Sequence, residues 1–129
     1  MADFLAFSEQ VTNKMLASPF VANWGTKKPR LVVGNLLNNT HNENIRVGDL
    51  HDRIQETLLN SGLVRILDKG ATSFDYIIRS EVTSTRQYGA EGKRLSHYTM
   101  QLKMFTLKGE LVGQWSDDLS LAKGPRRMF

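Results

Sequence analysis

The spacing of hydrophobic positions changes period along the chain. Phe4, Phe7, Val11 and Met15 recur at intervals of three, four and four, the stripe of a helix with one buried face. Asp3 stands where its carboxylate would cap the first turn. Ser18 precedes Pro19, and a residue before proline is steered away from helix. Phe20 to Lys28 reads as a linker. Its Trp24 is either an exposed interface anchor or, as is commoner, a ring folded over the edge of the core. Arg30 to Leu37 is short and rich in Leu and Val, and predicts a strand. Asn38 to Asn44 is a polar, Asn-rich turn. Val47, Leu50, Ile54 and Leu58 then repeat the helical spacing. Asn60-Ser61-Gly62 ends that helix, with Gly62 free to take the left-handed conformation. Leu63 to Leu67 predicts a second strand. A strand, a crossover helix and a strand in one sheet run parallel.

From Tyr76 the period falls to two. Tyr76, Ile78, Ser80, Val82 and Ser84 alternate with Ile77, Arg79, Glu81 and Thr83. Tyr98, Met100, Leu102 and Met104 alternate with Thr99, Gln101, Lys103 and Phe105, and a third run extends from Leu111 to Leu121. One apolar and one polar face predict antiparallel strands half-exposed to water. Lys108-Gly109-Glu110 is a tight turn, and Gln87 to Lys93 a longer loop. The expectation is an α+β fold: a mixed sheet of about five strands with a βαβ unit, a C-terminal antiparallel meander, and helices mainly on one face. Along the chain this divides into an N-terminal helix and linker (1–28), the βαβ unit (29–68) and the meander (73–121), within a single domain. Around 68–74 two strand orders remain open, a tight hairpin and a short hop across a neighbouring strand.

Charge adds a direction. The net charge is +4, which favours an acidic partner surface without choosing among nucleic acid, anionic lipid and protein. The chain has no Cys, so there is neither a thiol nucleophile nor a Cys metal site. Met1-Ala2-Asp3 lacks the basic start and apolar core of a secretory signal.

Candidate chemistry is sparse. His41, His51 and His97 form no His-x-x-x-His pair, so no metal site is expected. Asp117-Asp118 is the best carboxylate pair, but neighbours on a strand point to opposite faces. Asn38-Asn39-Thr40 is a glycosylation sequon, of consequence only in a secretory eukaryotic setting. Gly89 to Lys93 is too short to cradle a phosphate and opens no helix. No catalytic residue, cofactor site or metal site is assigned. What remains is a basic constellation of Arg79, Arg86, Lys93, Arg94 and Lys103, with Tyr88 among them. Arg and Tyr are favoured at interfaces, and these six are the candidate partner-binding residues. A solvated basic sheet face is the alternative.

The central stretch also carries a family resemblance. Lys28-Pro29-Arg30-Leu31-Val32-Val33-Gly34-Asn35-Leu36, then Asn39-Thr40 and Asn44-Ile45, then Leu58-Leu59-Asn60-Ser61-Gly62-Leu63-Val64-Arg65-Ile66-Leu67-Asp68 resembles the LpoB family. Those are bacterial outer-membrane lipoproteins that activate penicillin-binding proteins. Val11 to Leu16 resembles the helix preceding that domain, and Phe74 to Ile78 a later strand. The likeness extends from about Val11 to Leu121. It departs after Asp68, where the family would place further helices and this chain has six residues. The resemblance implies a non-enzymatic periplasmic regulator that binds and activates a peptidoglycan synthase. Its partners would be a class A penicillin-binding protein and the outer membrane, reached through a lipid anchor on an export segment upstream of this chain. Nucleic acid and small-molecule substrates would not be among them. The competing reading is a basic nucleic-acid-binding domain, whose aromatics would stack on bases.

Overall fold

The computed structural model describes residues 2–89 and 94–123. Helix α1 (Ala2–Leu16) is followed by a single turn, α2 (Pro19–Ala22), where Pro19 takes the first helical position. A proline is tolerated there because its missing N–H would lack a partner in any case. Strand β1 (Arg30–Asn39), helix α3 (Val47–Ser61) and the three-residue β2 (Arg65–Leu67) form the parallel unit. The meander is β3 (Tyr76–Tyr88), β4 (Arg94–Thr106) and β5 (Leu111–Lys123). The sheet order is β2-β1-β3-β4-β5, with β1 parallel to both neighbours and the last two pairings antiparallel.

Of the two strand orders open from sequence, the chain takes the hop. It leaves β2 at the sheet edge, crosses β1 and enters β3 on the far side. Asp75 anchors the landing: its carboxylate accepts the Arg30 N–H at 2.8 Å and its own N–H reaches the Arg30 carbonyl at 3.0 Å. Lys69 in the same connection donates to the Asn35 side chain.

Several boundaries depart from the sequence expectation. Asp3 lies inside the first turn of α1 instead of capping it, where a carboxylate still complements the helix dipole. The linker contains α2, and Trp24 is 7% exposed, in the core. It stacks on Tyr76 at 5.7 Å, while Phe20 packs edge-on to both rings. The β3 strand runs four residues past Ser84, and β4 begins four residues before Tyr98. These extensions decide the site below.

One face of the sheet carries the core. Phe4, Phe7, Val11 and Met15 of α1 and Leu50, Ile54 and Leu58 of α3 pack on Leu31, Val33, Ile78, Val82, Met100, Leu102 and Met104. The two helical stripes are those the spacing predicts. Gly62 ends α3 at φ 70°, as the left-handed termination requires. The other face of the meander, carrying Arg79, Glu81, Gln101 and Lys103, has no helix over it among the described residues.

A bulge interrupts β1. Between Val33 and Leu36 its register slips by one residue against β3. His51, buried on α3, places Nε2 3.0 Å from the Val33 carbonyl oxygen. A carbonyl can only accept, so Nε2 carries the proton. At Gly34 a Cβ would stand 2.8 Å from the Ile78 carbonyl oxygen, so only glycine passes the bulge unshifted.

The exposed edge of β5 is guarded at its centre. Lys14 of α1 donates to the Ser116 carbonyl at 2.9 Å, and the Asp117 carboxylate accepts the Asp118 N–H at 2.9 Å. Side chains thus occupy backbone groups that would otherwise template another strand.

Two substitutions test this packing. Ile54→Ala should lower stability by about 2–5 kcal/mol, read as a shift in the thermal melt; an unchanged melt would put the α3 stripe in water. Gly34→Ala should cost about 1–3 kcal/mol through overpacking at the bulge, read by urea unfolding, and a wild-type midpoint would mean that β1 can shift freely there.

Candidate functional site

The Asn-rich turn is built from its own side chains. The Asn38 carboxamide oxygen accepts from the Thr40 N–H at 3.1 Å and its Nδ2 donates to the Asn42 carbonyl at 3.0 Å. The Asn42 side chain accepts from the Asn44 N–H at 2.9 Å. Asn side chains that close turns on the backbone two residues away make a loop stiff without regular structure. Nearby, the Asn39 side chain donates to Glu81 of β3.

His41 fastens this turn to the meander. Its backbone N–H donates to Ser84 Oγ at 3.0 Å, its Nδ1 lies 2.7 Å from the same oxygen, and its Nε2 lies 3.4 Å from Ser96 Oγ. The ring centroid is 5.7 Å from that of Tyr98. Partial burial, then the charges of Arg86 and Arg94, hold the His41 pKa below its usual 6.5. The shift favours the neutral ring in the empty cleft.

A cleft of about 420 Å³ opens between the turn and the projecting ends of β3 and β4. His41, Asn42, Glu43 and Asn44 line one side, and Arg86, Arg94, Ser96 and Tyr98 the other. It exists because the strands outrun the helices. Phe4, the first buried residue of α1, packs on Tyr98 at 4.8 Å, and the residues of β4 before Tyr98 lie past that contact.

The predicted basic constellation is divided by this geometry. Arg79 and Lys103 are directly opposite each other on the open face, and the Arg79 guanidinium lies 5.8 Å from the Phe105 ring centroid. Arg86 pairs with Ser96, Tyr88 with Arg94, and Ser84 with the core residue Tyr98. Strand alternation puts Arg86, Tyr88 and Arg94 on the helix side. Arg79 and Lys103 are therefore on one face, Arg86 and Arg94 on the other, and one flat patch cannot hold all four. Tyr88 is 73% exposed at the strand end. Lys93 lies outside the described residues. A loop from Gln87 to Lys93 would put Arg86 and Arg94 just outside its two ends; in the structure both are strand residues, because β3 continues to Tyr88.

His41 is the residue that the sequence did not single out. Its partners Ser84 and Ser96 are 43 and 55 positions away, and only the neighbouring Asn residues hint at a built loop. The other histidines serve elsewhere. His51 is buried against β1, and His97 lies on the open face between Ser120 and Gln87. Asp117 and Asp118 point to opposite faces, Asp118 accepting from Thr99 Oγ1 at 2.7 Å. Among the described residues no group of three or more His, Asp or Glu is placed to hold a metal ion.

Comparison with known proteins places this fold. The structure of the LpoB C-terminal domain from Escherichia coli is 14% identical, with a TM-score of 0.61 over 94% of this chain and 99% of that one. The same domain from Salmonella enterica is 14% identical, with a TM-score of 0.60 over 92% and 98%. A lipoprotein from Neisseria meningitidis is 11% identical, with a TM-score of 0.55 over 77% and 87%. At such identities the likeness is one of fold. No curated protein sequence matches the chain significantly. The family profile described as peptidoglycan-synthase activator LpoB matches residues 3–74, which covers α1, the whole parallel unit and the hop into β3. On that match, more than half of its length, the chain belongs to the peptidoglycan-synthase activator LpoB family.

Proposed function

We propose that the protein is a non-enzymatic regulator that binds a class A penicillin-binding protein and raises its peptidoglycan-synthesising activity. The observation that carries this reading is the family match over residues 3–74. A regulator of this kind acts by binding one state of its target more tightly than another, which requires a rigid exposed surface. The reading includes a periplasmic location and an outer-membrane lipid anchor upstream of the described domain, as expected of the family.

The helix-side cleft is the surface proposed for the synthase. Its two arginines stand on paired strands, its opposite wall is a loop stiffened by Asn side chains, and Tyr88 is exposed beside it. Guanidinium groups form two parallel hydrogen bonds with a carboxylate, which favours acidic positions on the target. The nucleic-acid alternative has no comparable support. With Arg79 and Lys103 on one face and Arg86 and Arg94 on the other, these residues offer a phosphate backbone no continuous track.

Two charge reversals separate the faces. Arg86→Glu with Arg94→Glu should weaken binding to a purified class A penicillin-binding protein more than tenfold, or more than ~1.4 kcal/mol. Arg79→Glu with Lys103→Glu should change it by less than about threefold, within ~0.7 kcal/mol. Circular dichroism should show both variants folded, because exposed charges contribute little to stability. Full binding by the first variant and loss by the second would move the interface to the open sheet face. Absence of binding by the unmodified chain would overturn the synthase reading.

A further inference from the structure

Arg86 and Arg94 sit diagonally across the β3–β4 ladder, since Arg86 opposes Ser96 and Arg94 opposes Tyr88. Diagonal neighbours on one face are roughly 7–8 Å apart, a gap that one carboxylate bridges by accepting from both guanidiniums. Among the described residues neither arginine forms an ion pair. The imidazole of His41 lies in the same cleft, fastened to both strands through Ser84 and Ser96. We propose that this cleft is an anion site for an ionised side-chain carboxylate on an acidic segment of a protein partner, with Arg86 and Arg94 as its fixed cations and His41, its ring nitrogens facing Ser84 and Ser96, as a neighbouring charge gained with a proton. The inference deepens the proposed function and rests on it for the identity of the partner.

The lining favours a protein segment over an extended anionic surface. Glu43 stands on the same rim, so a membrane or a nucleic-acid backbone laid across the cleft would meet a like charge. A single acidic side chain entering between the arginines would not. Beneath them Tyr98 and Leu121 supply an apolar floor for the methylene groups of such a side chain.

Proton linkage follows from the charges that face His41. Among the described residues these are Arg86 from β3, Arg94 from β4 and Glu43 from its own loop, with the Tyr98 ring alongside. In the empty cleft, partial burial and the two arginines oppose protonation and hold the His41 pKa below 6.5. A bound carboxylate offsets the arginine charges, so the ring gains a proton more readily. By reciprocity the carboxylate binds more tightly when His41 is protonated. Affinity is then constant above the pKa of the occupied site. It rises as pH falls through that value, and levels off below the pKa of the empty one.

The test is a nuclear magnetic resonance titration of the His41 ring in the purified chain, with and without a short synthetic peptide containing two adjacent Glu residues. Alone, the midpoint should fall below 6.5. Saturating peptide should raise it by about one unit, and the peptide affinity should then increase as pH falls from 8 to 5.5, by up to about tenfold. Glu remains ionised throughout that range. Arg86→Gln with Arg94→Gln should abolish binding. His41→Asn, checked for folding by its thermal melt, should bind with the pH dependence removed. Peptide binding with an unmoved His41 midpoint would overturn the inference. So would Arg86- and Arg94-dependent binding of sulfate or anionic phospholipid vesicles by a chain that ignores the peptide. No synthase is present in this assay, so its outcome is independent of whether the synthase itself binds.

Discussion

A mismatch of length governs this structure. Strands of 13 residues extend about 43 Å at roughly 3.3 Å per residue, whereas a 15-residue helix covers about 22 Å. The helices therefore cover only part of one sheet face. Where they do, the apolar stripes of α1 and α3 close over Leu31, Ile78, Met100 and Leu102, and burial of that surface holds the two halves of the chain together. Where they do not, the β3–β4 hairpin projects, and the Asn-rich turn stands beside it as the opposite wall of a cleft. The candidate site is the space left when covered sheet gives way to uncovered sheet.

Polar contacts keep this margin in place. Ser84 serves both the backbone and the ring of His41, so one hydroxyl ties the turn to β3. The Asn residues between Asn38 and Asn44 are not solvent-facing filler. Asn38 and Asn42 each satisfy a backbone N–H in the turn. At the other sheet margin, Lys14 and Asp117 occupy the middle of the β5 edge. A partner that recognises this domain thus meets a rigid rim more readily than the centre of that edge.

Much of the fold was legible in residue spacing. The 3.6-residue period of Val47, Leu50, Ile54 and Leu58 located α3 and its buried face. Gly62 located its end, and alternation from Tyr76 and from Tyr98 located two meander strands. The hop from β2 to β3 was not legible, because it depends on Asp75 meeting Arg30, 45 positions earlier. The bulge was hidden for a similar reason: Gly34 looks like an ordinary strand glycine until the Ile78 carbonyl is placed against it. At the site, the basic residues read as one constellation are divided by the structure between two faces. Arg79 and Arg86 differ in parity, so an unbroken strand sends them to opposite faces. With the strand read as ending at Ser84, that parity carried no message. His41 carries no sequence signal beyond its place among polar residues, since its role depends on two serines from other strands.

The central claim is that a synthase is engaged through the helix-side cleft. Hydrogen exchange of the chain, free and bound to a purified class A penicillin-binding protein, tests it most directly. Backbone amides around His41 to Asn44, Arg86 to Tyr88 and Arg94 to Ser96 should become protected on binding, with little change at Gln101 to Phe105, the stretch of β4 that carries Lys103 and pairs with Arg79. Protection confined to that stretch, or no protection anywhere at saturating synthase, would contradict the account.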